Sequence, residues 1–127
     1  MFKRVDHVVI AVSDLAESVA LYEEKFGLKG SDVVESPEMG LKRVNLDVGN
    51  AYIELAQPTD DTGPLGKFLQ TRGEGLYLLA VEVDDLKGTV QALRDKGARI
   101  IGDENSGGQV FVHPASTHGM LLQLIPG

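Results

Sequence analysis

Three polar residues stand inside runs that are otherwise apolar. His7 interrupts "VDHVVIAV", Glu54 interrupts "AYIELA" and Gln123 interrupts "GMLLQLI". An imidazole and a carboxylate can move a proton together, one taking it and the other returning one. With an amide oxygen added, the same groups are nitrogen and oxygen donors for a divalent ion. Each residue also has a plainer reading. His7 could be a histidine satisfied at a strand edge. An unpaired carboxylate in an apolar run is costly, so Glu54 needs a partner, and Arg43 or Lys42 suits it as well as a metal does. Gln123 and Leu78 most simply fill a tight cleft. His113, in "FVHPAS", reads as a structural residue ending a strand before Pro114. His118, in "STHGM", reads as an exposed loop residue. There is no cysteine, which excludes disulfides and thiolate chemistry.

The elements that must position these residues come twice. "VDHVVIAVSDL" at Val5–Leu15 and "GEGLYLLAVEVDDL" at Gly73–Leu86 share a strand-then-cap pattern at an offset of 71 residues. At that offset His7 is matched by Leu78. A helix follows each strand. In the first, Leu15, Val19, Tyr22 and Phe26 recur at helical spacing, Asp14 caps with Glu17 three residues on, and Gly27 closes. In the second, Leu86, Val90 and Leu93 form the stripe, Asp85 caps and Gly97 closes. Short strands then fall near 32–35, 41–48 and 51–56 in the first half, with a Gly49-Asn50 hairpin turn. In the second half they fall near 99–102, 109–113 and 120–125. The predicted class is α+β: two βαβββ modules, each a twisted half-barrel, together giving one curved sheet with a central cleft. One domain spans 1–127, with repeats at 1–57 and 76–127 and a linker at 58–75 holding a short helix near 65–70.

Strand alternation assigns the faces. Val8, Ile10 and Val12 should pack under the first helix, leaving His7, Val9 and Ala11 for the cleft. By the repeat, Tyr77, Leu79, Val81 and Val83 face the second helix, while Leu78 and Ala80 face the cleft. Tyr52 and Glu54 alternate with Ile53 and Leu55, and Leu121 and Gln123 with Leu122 and Leu124. His7, Leu78, Glu54 and Gln123 therefore fall at four pseudo-equivalent positions that are expected to converge.

Composition bounds the partners. At 43% hydrophobic and 24% charged residues the chain reads as globular, and no run of about 18 apolar residues suggests a spanning helix. Asp6 and His7 interrupt the apolar N-terminal run, which therefore reads as a strand rather than a signal segment. A net charge of −7 argues against nucleic acid and anionic membrane as partners. A small molecule is the expected partner and the cytoplasm the expected compartment.

Taken in order, "DHVVIAVSDL", "IELAQP", "GEGLYLLAVEVDDL" and "FVHPASTHGMLLQL" resemble the vicinal oxygen chelate superfamily, also described as glyoxalase/bleomycin resistance/dioxygenase-like. The branch they are most similar to is that of the glyoxalases and methylmalonyl-CoA epimerases. The resemblance covers essentially the whole chain. It implies a homodimer, and a divalent metal (zinc, nickel, cobalt or manganese) held at the four cleft positions as a Lewis acid. Carried over residue by residue, the ligand positions are His7, Glu54, Leu78 and Gln123. Leu78 has no lone pair to offer and Gln123 is a neutral amide, so the implied site is His7, Glu54 and Gln123, with metal weakly bound or absent. The two proton-transfer glutamates implied for epimerases fall on Gln123 and near Arg43, and neither an amide nor a guanidinium exchanges protons usefully near neutrality.

The expected function is an enzyme of the glyoxalase or epimerase type, a lyase or isomerase, on a small acyl or 2-oxo acid compound. His7 and Glu54 are its catalytic pair, and Arg43, Asn45, Tyr52 and Leu78 its substrate contacts. The alternative is a metal-free protein of the same fold that binds or sequesters a small molecule.

Overall fold

The structure, a computed structural model, describes all 127 residues, Met1–Gly127. The elements are β1 (Phe2–Ala11), α1 (Leu15–Phe26), β2 (Val34–Ser36), β3 (Leu41–Asp47), β4 (Tyr52–Pro58), α2 (Pro64–Arg72), β5 (Gly75–Val83), α3 (Leu86–Asp95), β6 (Ile100–Ile101), β7 (Val110–Val112) and β8 (Leu121–Pro126). Single 3-10 turns occur at Pro37–Met39 and Pro114–Ser116. The class is α+β, as the alternating strand and helix periodicities predict. The chain divides into two compact units, Val8–Tyr77 and Met1–His7 with Leu78–Gly127.

In the Val8–Tyr77 unit, β2, β3 and β4 form an antiparallel ladder. Val48 N–H donates to the Ala51 carbonyl at 3.0 Å, closing a hairpin around Gly49 and Asn50. That turn fixes the register of β3 on β4. Helix α1 starts where the sequence places it: the Asp14 carboxylate accepts from Glu17 N–H at 3.0 Å. It stops at Gly27, whose φ of 67° is left-handed and favours glycine. Leu15, Val19 and Tyr22 pack on Val12, Val44, Leu46 and Leu55, and burying each such side chain contributes about 1.5–3 kcal/mol. Phe26 departs from the predicted stripe. It is 62% exposed at the helix end, its ring edge-on to Tyr22 at 5.3 Å, and Leu28 packs on the core beyond it. The linker helix is longer than predicted because Pro64 suits its first turn. Gly66 cannot be replaced there, since a Cβ would lie 2.4 Å from the Asp60 carbonyl oxygen.

In the other unit β5 pairs in parallel with β8, and β8, β7 and β6 continue antiparallel. Asp85 caps α3 by accepting from Gly88 N–H at 3.1 Å. Val90 of α3 is fully buried against Val81, Val83, Val110, Val112, Leu122 and Leu124. Leu79, Val81 and Val83 pack toward α3 as alternation assigns, whereas Tyr77, expected there too, instead sets its ring edge-on to Phe68 of α2 at 5.1 Å.

Candidate functional site

In the Val8–Tyr77 unit the polar residues come from β3 and β4. Register pairs Asn45 with Glu54, Arg43 with Ala56 and Asp47 with Tyr52. Val44, Leu46 and Leu55 occupy the helix-facing core, so by alternation Arg43, Asn45, Tyr52 and Glu54 share the other face. Glu54 is 6% exposed. Arg43 Nη1 lies 3.3 Å from Glu54 Oε1, so the carboxylate has the cationic partner that the sequence required. Arg43 Nε and Asn45 Oδ1 are enclosed and have no hydrogen-bond partner in the structure. Each such atom costs roughly 1–3 kcal/mol, so their place beside a buried carboxylate marks a polar cluster that the fold alone does not satisfy.

In the other unit His7 is 8% exposed and Gln123 is 9% exposed. Gln123 stands in register between Ala80 on β5 and Phe111 on β7. Leu78 pairs with Leu121 and is 6% exposed, so it is a buried apolar residue at the position implied for a ligand. His7 Nδ1 lies 2.8 Å from Asp6 Oδ2. Asp6 Oδ1 accepts from Arg4 Nη1 at 3.0 Å, and the same Nη1 donates to Glu82 Oε2 at 3.0 Å. Burial pushes the Asp6 carboxyl up, but the bonds to His7 and Arg4 outweigh it and hold the group below the usual carboxylate range. Sequence reasoning missed Asp6. The signal available was its position next to a histidine in an apolar strand.

His113 is structural: its Nδ1 accepts from Ala115 N–H at 2.9 Å and caps the second 3-10 turn. His118 is exposed, with a φ of 62°. Neither bonds to the residues above in any contact the structure records.

No group of three or more His, Cys, Asp or Glu residues is arranged to hold an ion. Leu78 donates nothing, and the Glu54 charge is already matched by Arg43. These residues do not make a metal centre by themselves, so no chemical step is routed through one.

The sequence matches the family described as the Glyoxalase/Bleomycin resistance protein/Dioxygenase superfamily over residues 6–112. Mitochondrial methylmalonyl-CoA epimerase of Mus musculus is 33% identical over 127 residues, covering 95% of this chain and 71% of that protein. The ethylmalonyl-CoA/methylmalonyl-CoA epimerase of Cereibacter sphaeroides is 29% identical over 131 residues, covering 98% of each. A single-residue variant of Streptomyces coelicolor methylmalonyl-CoA epimerase, solved with 2-nitronate-propionyl-CoA, superposes with a TM-score of 0.89. It is 30% identical and covers 100% of this chain and 99% of that one. With sequence and fold in agreement along nearly its whole length, the chain belongs to the glyoxalase/bleomycin resistance/dioxygenase (vicinal oxygen chelate) superfamily, in its methylmalonyl-CoA epimerase-like branch.

Proposed function

We propose that this protein is an isomerase of the epimerase type acting on an acyl-CoA. The observation that carries the reading is the buried Glu54 carboxylate with Arg43 at 3.3 Å and Asn45 opposite it in register. Relatives and a structural neighbour whose names include acyl-CoA compounds support it.

In the proposed chemistry a base removes the proton from the carbon α to the thioester carbonyl. The electron pair moves onto the carbonyl oxygen, and a second group returns a proton to the α-carbon. Glu54 and His7 are the proton-transfer groups. The Arg43 guanidinium supplies positive charge to the developing oxyanion, the kind of stabilisation that counts most in such sites. Arg43, Asn45, Tyr52 and Leu78 are the proposed substrate contacts.

The test is solvent-deuterium exchange at the α-carbon across a panel of short and branched acyl-CoA thioesters, read by mass spectrometry. Exchange with any of them that is lost in Glu54→Gln is the expected result. Micromolar binding without exchange would replace the enzyme by the second reading, a binding protein, which the buried Leu78 favours. No binding to any acyl-CoA would defeat both. We also propose a homodimer, as the family resemblance implies. Sedimentation as a monomer at micromolar concentration would overturn it. A cytoplasmic location is proposed on the absence of cysteine, and the two repeats, 1–57 and 76–127, are proposed as one domain.

A further inference from the structure

We propose that the open face of β7 and β8 selects an acyl group that is hydrocarbon and carries no second carboxylate. Phe111 is its specificity-determining residue, and the Gln123 amide is the donor to the thioester carbonyl. The proposal deepens the acyl-CoA reading and rests on it, but not on which groups transfer the proton.

On one face of this unit's strands Val81, Val110, Val112, Leu122 and Leu124 pack against Val90 of α3. Alternation turns Ala80, Phe111 and Gln123 to the other face. Register sets them in one row: Ala80 opposite Gln123, Gln123 opposite Phe111, and Phe111 opposite Ile101. The row runs outward to β6, the edge strand. Ala80 is fully buried, Gln123 is 9% exposed, Phe111 is half-buried and Ile101 is 41% exposed. Three strand spacings separate Ala80 from Ile101, about 14 Å, and every side chain along them except Gln123 is hydrocarbon. That is an apolar track, open at one end, long enough for an acyl chain of several carbons.

Gln123 is the exception along the track. It is buried, yet no contact the structure records bonds its side-chain amide. Its neighbours on this face, Ala80 and Phe111, have no polar side-chain atom to offer it. A buried amide left unmet is costly, and a thioester carbonyl accepts what its N–H donates. With the carbonyl held there, the hydrocarbon lies over Phe111 toward Ile101. Charge argues against a second carboxylate on the acyl group. The charged residue that alternation places on this face is Glu82, an acid, and Lys3 and Arg4 already pair with it. In the other unit the Arg43 guanidinium is matched by Glu54. An added carboxylate would lose water without gaining a cation of its own.

The test is calorimetric binding of the full chain to acyl-CoA thioesters, with α-carbon exchange read on the same compounds. The probes are butanoyl-, hexanoyl- and octanoyl-CoA, free CoA, and the pair 2-methylbutanoyl-CoA and methylmalonyl-CoA. Affinity should rise about fourfold per methylene along the linear series. The branched hydrocarbon should bind at least about tenfold more tightly than methylmalonyl-CoA. Phe111→Ala should flatten the chain-length slope, and Gln123→Leu should weaken every thioester about tenfold relative to free CoA. An affinity that ignores chain length in the parent, or favours methylmalonyl-CoA, would overturn the proposal. So would a folded Phe111→Ala that keeps the parent's slope. If that variant does not fold, the parent series still decides. Chain-length selection without exchange on any thioester would defeat the isomerase and leave the acyl track standing. Exchange without chain-length selection would do the reverse.

Discussion

Arg43 reaches Glu54 diagonally across the β3–β4 ladder. The two are not register partners: Glu54 stands opposite Asn45, and Arg43 stands opposite Ala56. Ala56 is fully buried and small, so the guanidinium can lean over it, and Nη1 comes to 3.3 Å from Oε1. Diagonal pairs are within reach of long side chains. A carboxylate in an apolar strand is stable here because its counter-charge comes from one rung away.

The first prediction follows from that asymmetry. Arg43→Met removes the guanidinium that faces the buried carboxylate. Glu54→Gln removes the charge that it faces. Arg43 is 39% exposed at its side chain, which screens the pair and discounts the cost usual for a fully buried one. We expect Arg43→Met to destabilise by about 1–2 kcal/mol and Glu54→Gln by less, with the double variant closer to the second than to the sum. Urea unfolding of the four proteins gives the cycle. Strictly additive losses would mean the pair contributes nothing.

A second expectation concerns methylmalonyl-CoA itself. Arg43 and Gln123 stand where the resemblance implies two carboxylate bases. A general acid or base typically contributes 10²–10⁴-fold, roughly. Exchange at the α-carbon of methylmalonyl-CoA should therefore be slow, and Gln123→Glu should raise it. Rapid exchange by the parent would show that the proton-transfer roles lie elsewhere.

Acid stability should depend on three carboxyls held below their ordinary values, Asp6, Asp60 and Glu104, with Asp60 held there by the bonds it accepts from Gly63 and Thr62. Asp6 sits below its ordinary 3.8, where bonds from His7 and Arg4 overcome desolvation, and Glu104 sits below its ordinary 4.5. At Glu104 the causes are its own backbone N–H and then Arg94, 2.6 Å away. A depressed folded value means that the unfolded chain binds protons more readily. The contribution to stability is therefore complete above the ordinary values and is lost as pH falls through the folded ones. Melting temperature should hold steady from about pH 7 to 5 and fall below about pH 4.5. Glu104→Gln should flatten part of that fall. An unchanged acid limb would remove Glu104 from the account.

Much of this was legible in the sequence, for identifiable reasons. Asp14 and Asp85 cap their helices because short carboxylates next to helical apolar stripes have few other uses. The facing of Leu79, Val81, Leu122 and Leu124 follows from strand alternation. Even the Asn45–Glu54 pairing follows from the Gly49-Asn50 turn, since a two-residue hairpin fixes every rung behind it. The two 3-10 turns were not foreseen: Ser36-Pro37 and His113-Pro114 mark only that a regular strand must stop. Nor was the Asp6–His7 bond, because alternation places neighbours on opposite faces and hides a side chain bent back by Arg4. Phe26 misled in the other direction, continuing a stripe past the point where the helix meets its core.

The last prediction tests the four pseudo-equivalent positions. Leu78→His with Gln123→Glu would supply an imidazole and a carboxylate where the chain now has a hydrocarbon and an amide. With His7 and Glu54, that makes two histidines and two carboxylates, a set that suits zinc, nickel or cobalt. Leu78 is 6% exposed, so the swap is not free: replacing a buried leucine by a polar ring should cost about 2–4 kcal/mol without metal. Metal binding to the native state should recover part of that loss, because a ligand that binds only the folded form raises its stability. The expected outcome is a double variant that melts lower than the parent when metal-free, then rises with added zinc while the parent does not. Calorimetric titration should show a matching gain in affinity. A variant that folds yet takes up metal no better than the parent would mean that these four positions do not act on a common ligand, and the roles proposed jointly for His7 and Glu54 would fall with it.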